Sequence, residues 1–298
     1  MKHQITITWQ TDGQEYTKSC PPGQTLEQLK PSLINGQMPI VGAIVNNLLK
    51  DLRYPLFCSS DIEWLHADSP MGSRILQNSL ALLLSAAAAE LFPNHQLNIM
   101  HSLRFGRFCR LTEDVPSRPL AASDIARLEA RMHELAQANL PITKDVINKN
   151  ESIGYFKACG DFAKAQTLYK VPDKQATLYS IGKHTRQMFS KLVPSTGYLD
   201  NFSLAHFDDG FILTDHYNTP EELRGSQQLA YPKILNATLD NYSKWSSMQN
   251  INYCCDLNRF VEKNDFNSLV IMAEARQERS LQHIADQIFQ GFPQVRLV

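Results

Sequence analysis

Residues 79–92, SLALLLSAAAAELF, are the most apolar run of the chain, and they constrain the fold more than any other stretch. Alanine and leucine crowd both faces from 80 to 91, which predicts a helix covered on most of its sides. The run is too short to cross a bilayer, which takes about 20 apolar residues, and Arg74 and Glu90 flank it. It therefore reads as a helix buried in protein, with Ser73 as the expected N-cap and Pro93 just past its end.

The stretches before this helix have the pattern of a small mixed domain. Residues 4–9 (ITITWQ) alternate with period two, and Asp12-Gly13 forms a hairpin turn into EYTKSC. Pro21-Pro22-Gly23 breaks that strand, and Thr25 is placed to cap a helix over 26–33 with Leu26 and Leu29 inward. Strands are expected over 41–47, ending in an Asn-Asn turn, and over 62–65, with a linker at 68–72. After the apolar helix come strands at 97–103 and 106–111 and a helix over 124–139 capped by Ser123. Further strands follow at 142–147, 176–182, 184–189, 202–207 and 210–215. Two short helices, 151–160 and 161–170, interrupt this series. Beyond Leu223 the apolar period is helical, closing on a long helix over 268–291. The order predicts an α+β chain with domains at 1–67 and 68–222 and a helical segment over 223–298.

The 298 residues carry a net charge of −1 and a pI near 6.7, so a nucleic-acid partner would have to find a local basic patch. The six cysteines show no C-x-x-C pair or framework spacing, and no apolar leader precedes them. They read as reduced thiols of a cytoplasmic protein. The phosphate-loop pattern G-x-x-x-x-G-K-[ST], the dinucleotide pattern G-x-G-x-x-G and the H-E-x-x-H and zinc-ribbon spacings are all missing. Asp208-Asp209 with Asp215-His216 reads as solvated charge on a hairpin. Cys254-Cys255 reads as packing.

Two features carry possible chemistry. In KLVPSTGYLD (191–200) Pro194 fixes φ and Gly197 permits a positive one. Ser195, Thr196 and Gly197 add hydroxyls and N–H groups that either hold an anion or close the turn. The second feature is a set of cations. Arg104, Arg107 and Arg110 lie on the 103–110 hairpin, and Lys183, His184, Arg186 and Lys191 on the later strand pair. If the two hairpins are neighbours, these residues form a basic rim suited to phosphate or RNA backbone.

The N-terminal order resembles a TGS-type, ubiquitin-like β-grasp domain. With SRILQNSLALLL, MHSLRFGRFC, LVPSTGYLDNFSL and AEARQERSLQHIADQI added, the chain resembles the N-terminal half of bacterial TGS-containing uridine kinase-like proteins. More loosely, it is similar to threonyl-tRNA synthetase, with 68–222 corresponding to the second additional, editing domain. That resemblance implies a His-x-x-x-His pair at 78 and 82 and a Cys-x-x-x-His pair at 188 and 192. This chain has Asn78, Leu82, Met188 and Leu192 there. Leucine and methionine neither activate water nor replace histidine as zinc ligands, so no metal and no editing chemistry are expected.

The resemblance implies a non-catalytic binding or regulatory module with no cofactor of its own and no membrane partner. A kinase domain in cis would use ATP and Mg²⁺ to phosphorylate uridine. QVRLV (294–298) would then be the first strand of that domain, with a phosphate loop within about ten residues of it. The alternative is a stand-alone RNA-, tRNA- or nucleotide-binding module that has lost its catalytic ligands.

Overall fold

The computed structural model describes residues 4–11, 13–32, 38–103, 106–113, 121–219 and 233–291. Arg104, Asp12, the last residue of the 26–33 helix and the 294–298 strand lie outside them, as does the start of the helical pattern at 229–232. The chain divides into two compact units, Met1–Ile147 with Ala176–Tyr231 and Asn148–Gln175 with Pro232–Val298. The segment 148–175, placed by sequence inside 68–222, is thus grouped with the C-terminal helices.

The first unit begins with hairpin β1 (Ile5–Thr11) and β2 (Gln14–Cys20). Ile5 and Ile7 are buried while Thr6 is exposed, as the alternation requires. β3 (Gln24–Thr25) leads into α1 (Leu26–Leu29), where Thr25 and Gln28 form a reciprocal cap. This helix ends well short of the expected 33. Lys30 stands before Pro31 and takes ψ 140, because a proline disfavours helical geometry in the residue ahead of it. β4 (Ile40–Val45) and β5 (Leu48–Lys50) are joined by Asn46 and Asn47, both at positive φ. β6 (Pro55–Leu56) pairs with β3, and β7 (Ser60–His66) enters the sheet parallel to β1. The order is β2-β1-β7-β4-β5.

No linker separates this sheet from the apolar helix. α2 spans Pro70–Leu91, and its N-cap is Ser69, whose hydroxyl accepts from Gly72 N at 3.1 Å. Pro70 opens the helix, where a missing N–H costs nothing. Ser73, the expected cap, is already inside it. A Cβ on Gly72 would come within 1.9 Å of the His66 carbonyl oxygen, so a glycine is required at this close turn. α2 is buried almost throughout, from Ile75 to Ala88, and one core cluster joins it to Val41 and Leu65 of the first sheet and to the elements that follow.

Those elements are β8 (His95–Leu103), β9 (Gly106–Glu113), α3 (Ala122–Gln137), β10 (Ile142–Asn148), β11 (Gln175–Ile181), β12 (His184–Gln187), β13 (Phe202–Phe207) and β14 (Gly210–Asp215). They make two sheets, β13-β14-β9-β8 and β10-β11-β12. α3 starts ahead of Ser123, with Asp124 accepting from the Ala121 N–H at 3.1 Å. Ile125, Leu128, Met132 and Leu135 form its buried stripe.

The second unit is helical. It holds α4 (Lys149–Ala158), α5 (Phe162–Lys170), α6 (Lys233–Met248), α7 (Cys254–Glu262) and α8 (Phe266–Gln290). Gly160 at φ 78 and the Asp161 cap form the α4–α5 corner. Lys170 pairs with Glu262 at 2.5 Å, and Arg276 of α8 stacks on Tyr242 and Trp245 of α6. Among the described residues no helix is long and apolar enough to cross a membrane.

Candidate functional site

The expected basic rim is not assembled as one arc. β9 and β12 belong to different sheets, so the hairpins that carry the cations are not strand neighbours. Both sets reach α2 instead, at two points seven residues apart, which is about 10 Å along one face of a helix. Arg107 Nη2 donates to Asn78 Oδ1 at 3.0 Å. Arg186 Nε donates to Ser85 Oγ at 2.9 Å, and Ser85 Oγ lies 2.9 Å from His184 Nε2. Lys183 is exposed at the β11–β12 turn, and Arg110 pairs with Asp209 at 2.7 Å. Arg104 lies outside the described residues.

Arg107, in β9, is half-buried against α2. Burial pulls its pKa below the ordinary arginine value, with Cys109 pulling the other way, and its Nε is buried without a hydrogen-bond partner. Gly106 lets β9 pass close to β14, since a Cβ there would lie 2.6 Å from Leu213 O. Gln77, Leu80, Gly106, Leu213 and Asp215 line a small cleft beside the guanidinium, with room for about one water. The neighbouring Cys109 thiol is pushed up to about 12 by burial, so it is no nucleophile at neutral pH.

Ser85 and His184 have the atoms of a nucleophile–base pair, but their surroundings do not suit that chemistry. The Arg186 N–H already donates to the serine oxygen, and the serine lies between a guanidinium and the imidazole rather than free for attack. Burial, then Arg186, lowers the His184 pKa to about 4, against a smaller opposing effect of Glu90. Ser85 is buried. The three residues fasten β12 to α2.

At the Val-Pro turn protein groups already take the donors of Val193, Thr196 and Gly197 that an anion would need. Thr196 is fully buried; its hydroxyl donates to Leu135 O at 2.6 Å and accepts from Leu140 N at 2.8 Å, while its own N–H reaches Leu140 O. Ile142 N donates to Pro194 O, Val193 N to Ser79 Oγ, and Gly197 N to Asn139 Oδ1 at 3.2 Å. Ser195 is extended at φ −149 and bridges to Pro141. Gly197 has no positive φ, contrary to the sequence expectation. A Cβ there would meet Asn139 Oδ1 at 2.3 Å, so the Asn139 side chain would have to shift and give up its bond to the Gly197 N–H.

The four positions that the synthetase resemblance singles out now have definite surroundings. Leu82 and Leu192 are buried in the main core, Met188 packs on its edge, and Asn78 is held by Arg107. Among the described residues no group of three or more His, Cys, Asp or Glu side chains is placed to hold a metal. Of the charged hairpin residues, Asp215 accepts from Tyr217 N and Asn218 Nδ2, and His216 pairs with Ser203.

Sequence reasoning did not anticipate Ser79, Ser85 or Asn139. The two serines were visible as polar breaks in an apolar run. Asn139, just past α3 at φ 46, carried the helix-end preference of asparagine.

No protein-family profile matches the chain. The chain is similar to threonine–tRNA ligases. The one from Rickettsia akari is 31% identical over 172 residues, 57% of this chain and 25% of that enzyme. Those from Nitrosomonas eutropha and Polaromonas naphthalenivorans are 32% and 30% identical over 179 residues, 60% of this chain and 27% and 28% of theirs. The match thus spans about a quarter of the length of these relatives. They support the synthetase side of the resemblance, and the uridine kinase-like reading gains nothing from them.

Proposed function

We propose that this chain is an RNA-binding module, related to part of a threonine–tRNA ligase, that does not hydrolyse aminoacyl esters through a histidine or metal centre. The observation that carries the reading is what occupies the four positions of the implied centre. Two are leucines packed in the core, one is a methionine at its edge, and the fourth is an asparagine held by an arginine. Neither leucine offers a lone pair, and the asparagine oxygen is already taken by the Arg107 guanidinium. That these relatives are threonine–tRNA ligases supports RNA as the ligand class. With a net charge of −1, binding has to be local and salt-sensitive.

The test combines filter binding of threonine tRNA at two salt concentrations with a deacylation assay on a mischarged threonine tRNA. Binding that weakens several-fold between 50 and 200 mM salt, with no deacylation above the uncatalysed rate, is the expected result. Turnover abolished by Asn78→Ala, or no tRNA binding at low salt, overturns the reading.

A further inference from the structure

Among the described residues a second group of cations lies where the loop after β5 meets β10 and the Val-Pro segment. Arg53 donates from Nη1 to Ile142 O and from Nη2 to Pro194 O, which ties these three segments together. Lys144 stands two residues along β10 from Ile142, and its Nζ lies 2.9 Å from Asp51 Oδ2. Lys50, the last residue of β5, holds its Nζ over the Tyr54 ring at 4.3 Å. Lys191 sits three residues ahead of Pro194, within electrostatic reach of Lys144, Asp51 and Lys50.

Three lysines from three segments therefore lie near one carboxylate, Asp51, which among the described residues is paired with Lys144 alone. Asp51 is already shared with Lys144, and Arg53 is engaged by neutral carbonyls, so Lys50 and Lys191 are left with like-charged neighbours. Lys191 is half-buried, and both burial and the two lysines disfavour its charged form. A multiply charged anion seated among these amines would relieve that repulsion and accept their N–H donors. A chain of net charge −1 has no general cationic excess to explain such a concentration.

We propose that Lys50, Lys144 and Lys191 form a phosphate-binding site, with Arg53 as the positioning residue that holds their segments together. The shared ligand chemistry is a phosphate group, either of a free polyphosphate or of an RNA backbone. The site uses no side chain of α2 and none of positions 78, 82, 188 and 192, so its failure is separable from the reading of the chain as an RNA-binding module.

The experiment titrates the full chain with inorganic tripolyphosphate by calorimetry and with a labelled RNA by fluorescence anisotropy, both at low salt. The probes are applied to the native protein, to Lys50→Ala/Lys191→Ala, to Lys50→Arg/Lys191→Arg, and to Arg107→Met/Arg186→Met as the α2 control. The expected result is at least a tenfold loss in the alanine pair for the probe that binds, with retention in the arginine pair. For RNA, the slope of log affinity against log salt should also fall by about 2, because each phosphate contact contributes about 0.9. A loss confined to tripolyphosphate assigns the site to a free polyphosphate, and a loss confined to RNA assigns it to a backbone. Unchanged binding in an alanine pair that melts like the native protein, or no binding of either probe by the native protein, overturns the proposal. A loss only in the α2 control overturns it too, while leaving the reading of the chain as an RNA-binding module intact.

Discussion

Arg107 in β9 donates its Nη2 to Asn78 Oδ1 across 3.0 Å, joining a sheet to the middle of an otherwise apolar helix. The side chain at 78 thereby serves as an acceptor for a half-buried cation. Asn78→Leu removes that acceptor and leaves the guanidinium enclosed without it. A cost of about 1–3 kcal/mol in urea unfolding is expected, as for a buried donor left unmade. Arg107→Met in the same background should recover part of that loss, because neither partner then needs water. Equal and additive losses in the two single variants would mean that the pair does not interact.

The Val-Pro turn makes a second, sharper expectation. Thr196→Val keeps the shape but deprives Leu140 N and Leu135 O of their partner, and about 1–3 kcal/mol of stability should go with it. Thr196→Ser should retain most of the native value. At the neighbouring position Gly197→Ala drives a methyl group into Asn139 and should destabilise further. Adding Asn139→Gly removes the obstruction and tolerates the φ of 46, so the double variant should be more stable than Gly197→Ala alone. Denaturant midpoints of the four proteins decide this. Failure of the rescue would place the strain elsewhere.

Much of the first sheet could be read from residues alone, because alternation and turn chemistry act locally. Ile5 and Ile7 face inward, and Asn46-Asn47 turns where two asparagines can. Helix ends were less legible. Ser69 and Ser73 are both suitable caps, and the Pro70 that follows Ser69 decides between them. The candidate site was the least legible, because its contacts span long separations. Nothing local in MHSLRFGRFC says that Arg107 meets Asn78, 29 residues earlier, or that Arg186 meets Ser85, 101 residues earlier. The basic rim was illegible for the same reason, its two arginines reaching α2 from different sheets. Shared charge on two hairpins says nothing about which sheet each hairpin joins.

His184 gives the chain a pH dependence whose sign follows from its surroundings. Burial first, and Arg186 second, lower its pKa from 6.5 to about 4. Between those values the unfolded chain holds a proton that the folded one refuses, so stability rises with pH across that window. The stabilisation from the neutral ring is complete above about 6.5 and is lost as pH falls toward 4. Thermal or urea midpoints should therefore drop between pH 7 and pH 4.5, over and above the effect of the carboxylates. His184→Gln keeps an amide to meet Ser85 but cannot titrate, so its midpoints should fall less steeply across the same range. Direct titration of the His184 ring by NMR should show it neutral down to about pH 5. A ring that titrates near 6.5, or a glutamine variant with the native pH profile, would show that His184 is not held neutral against α2.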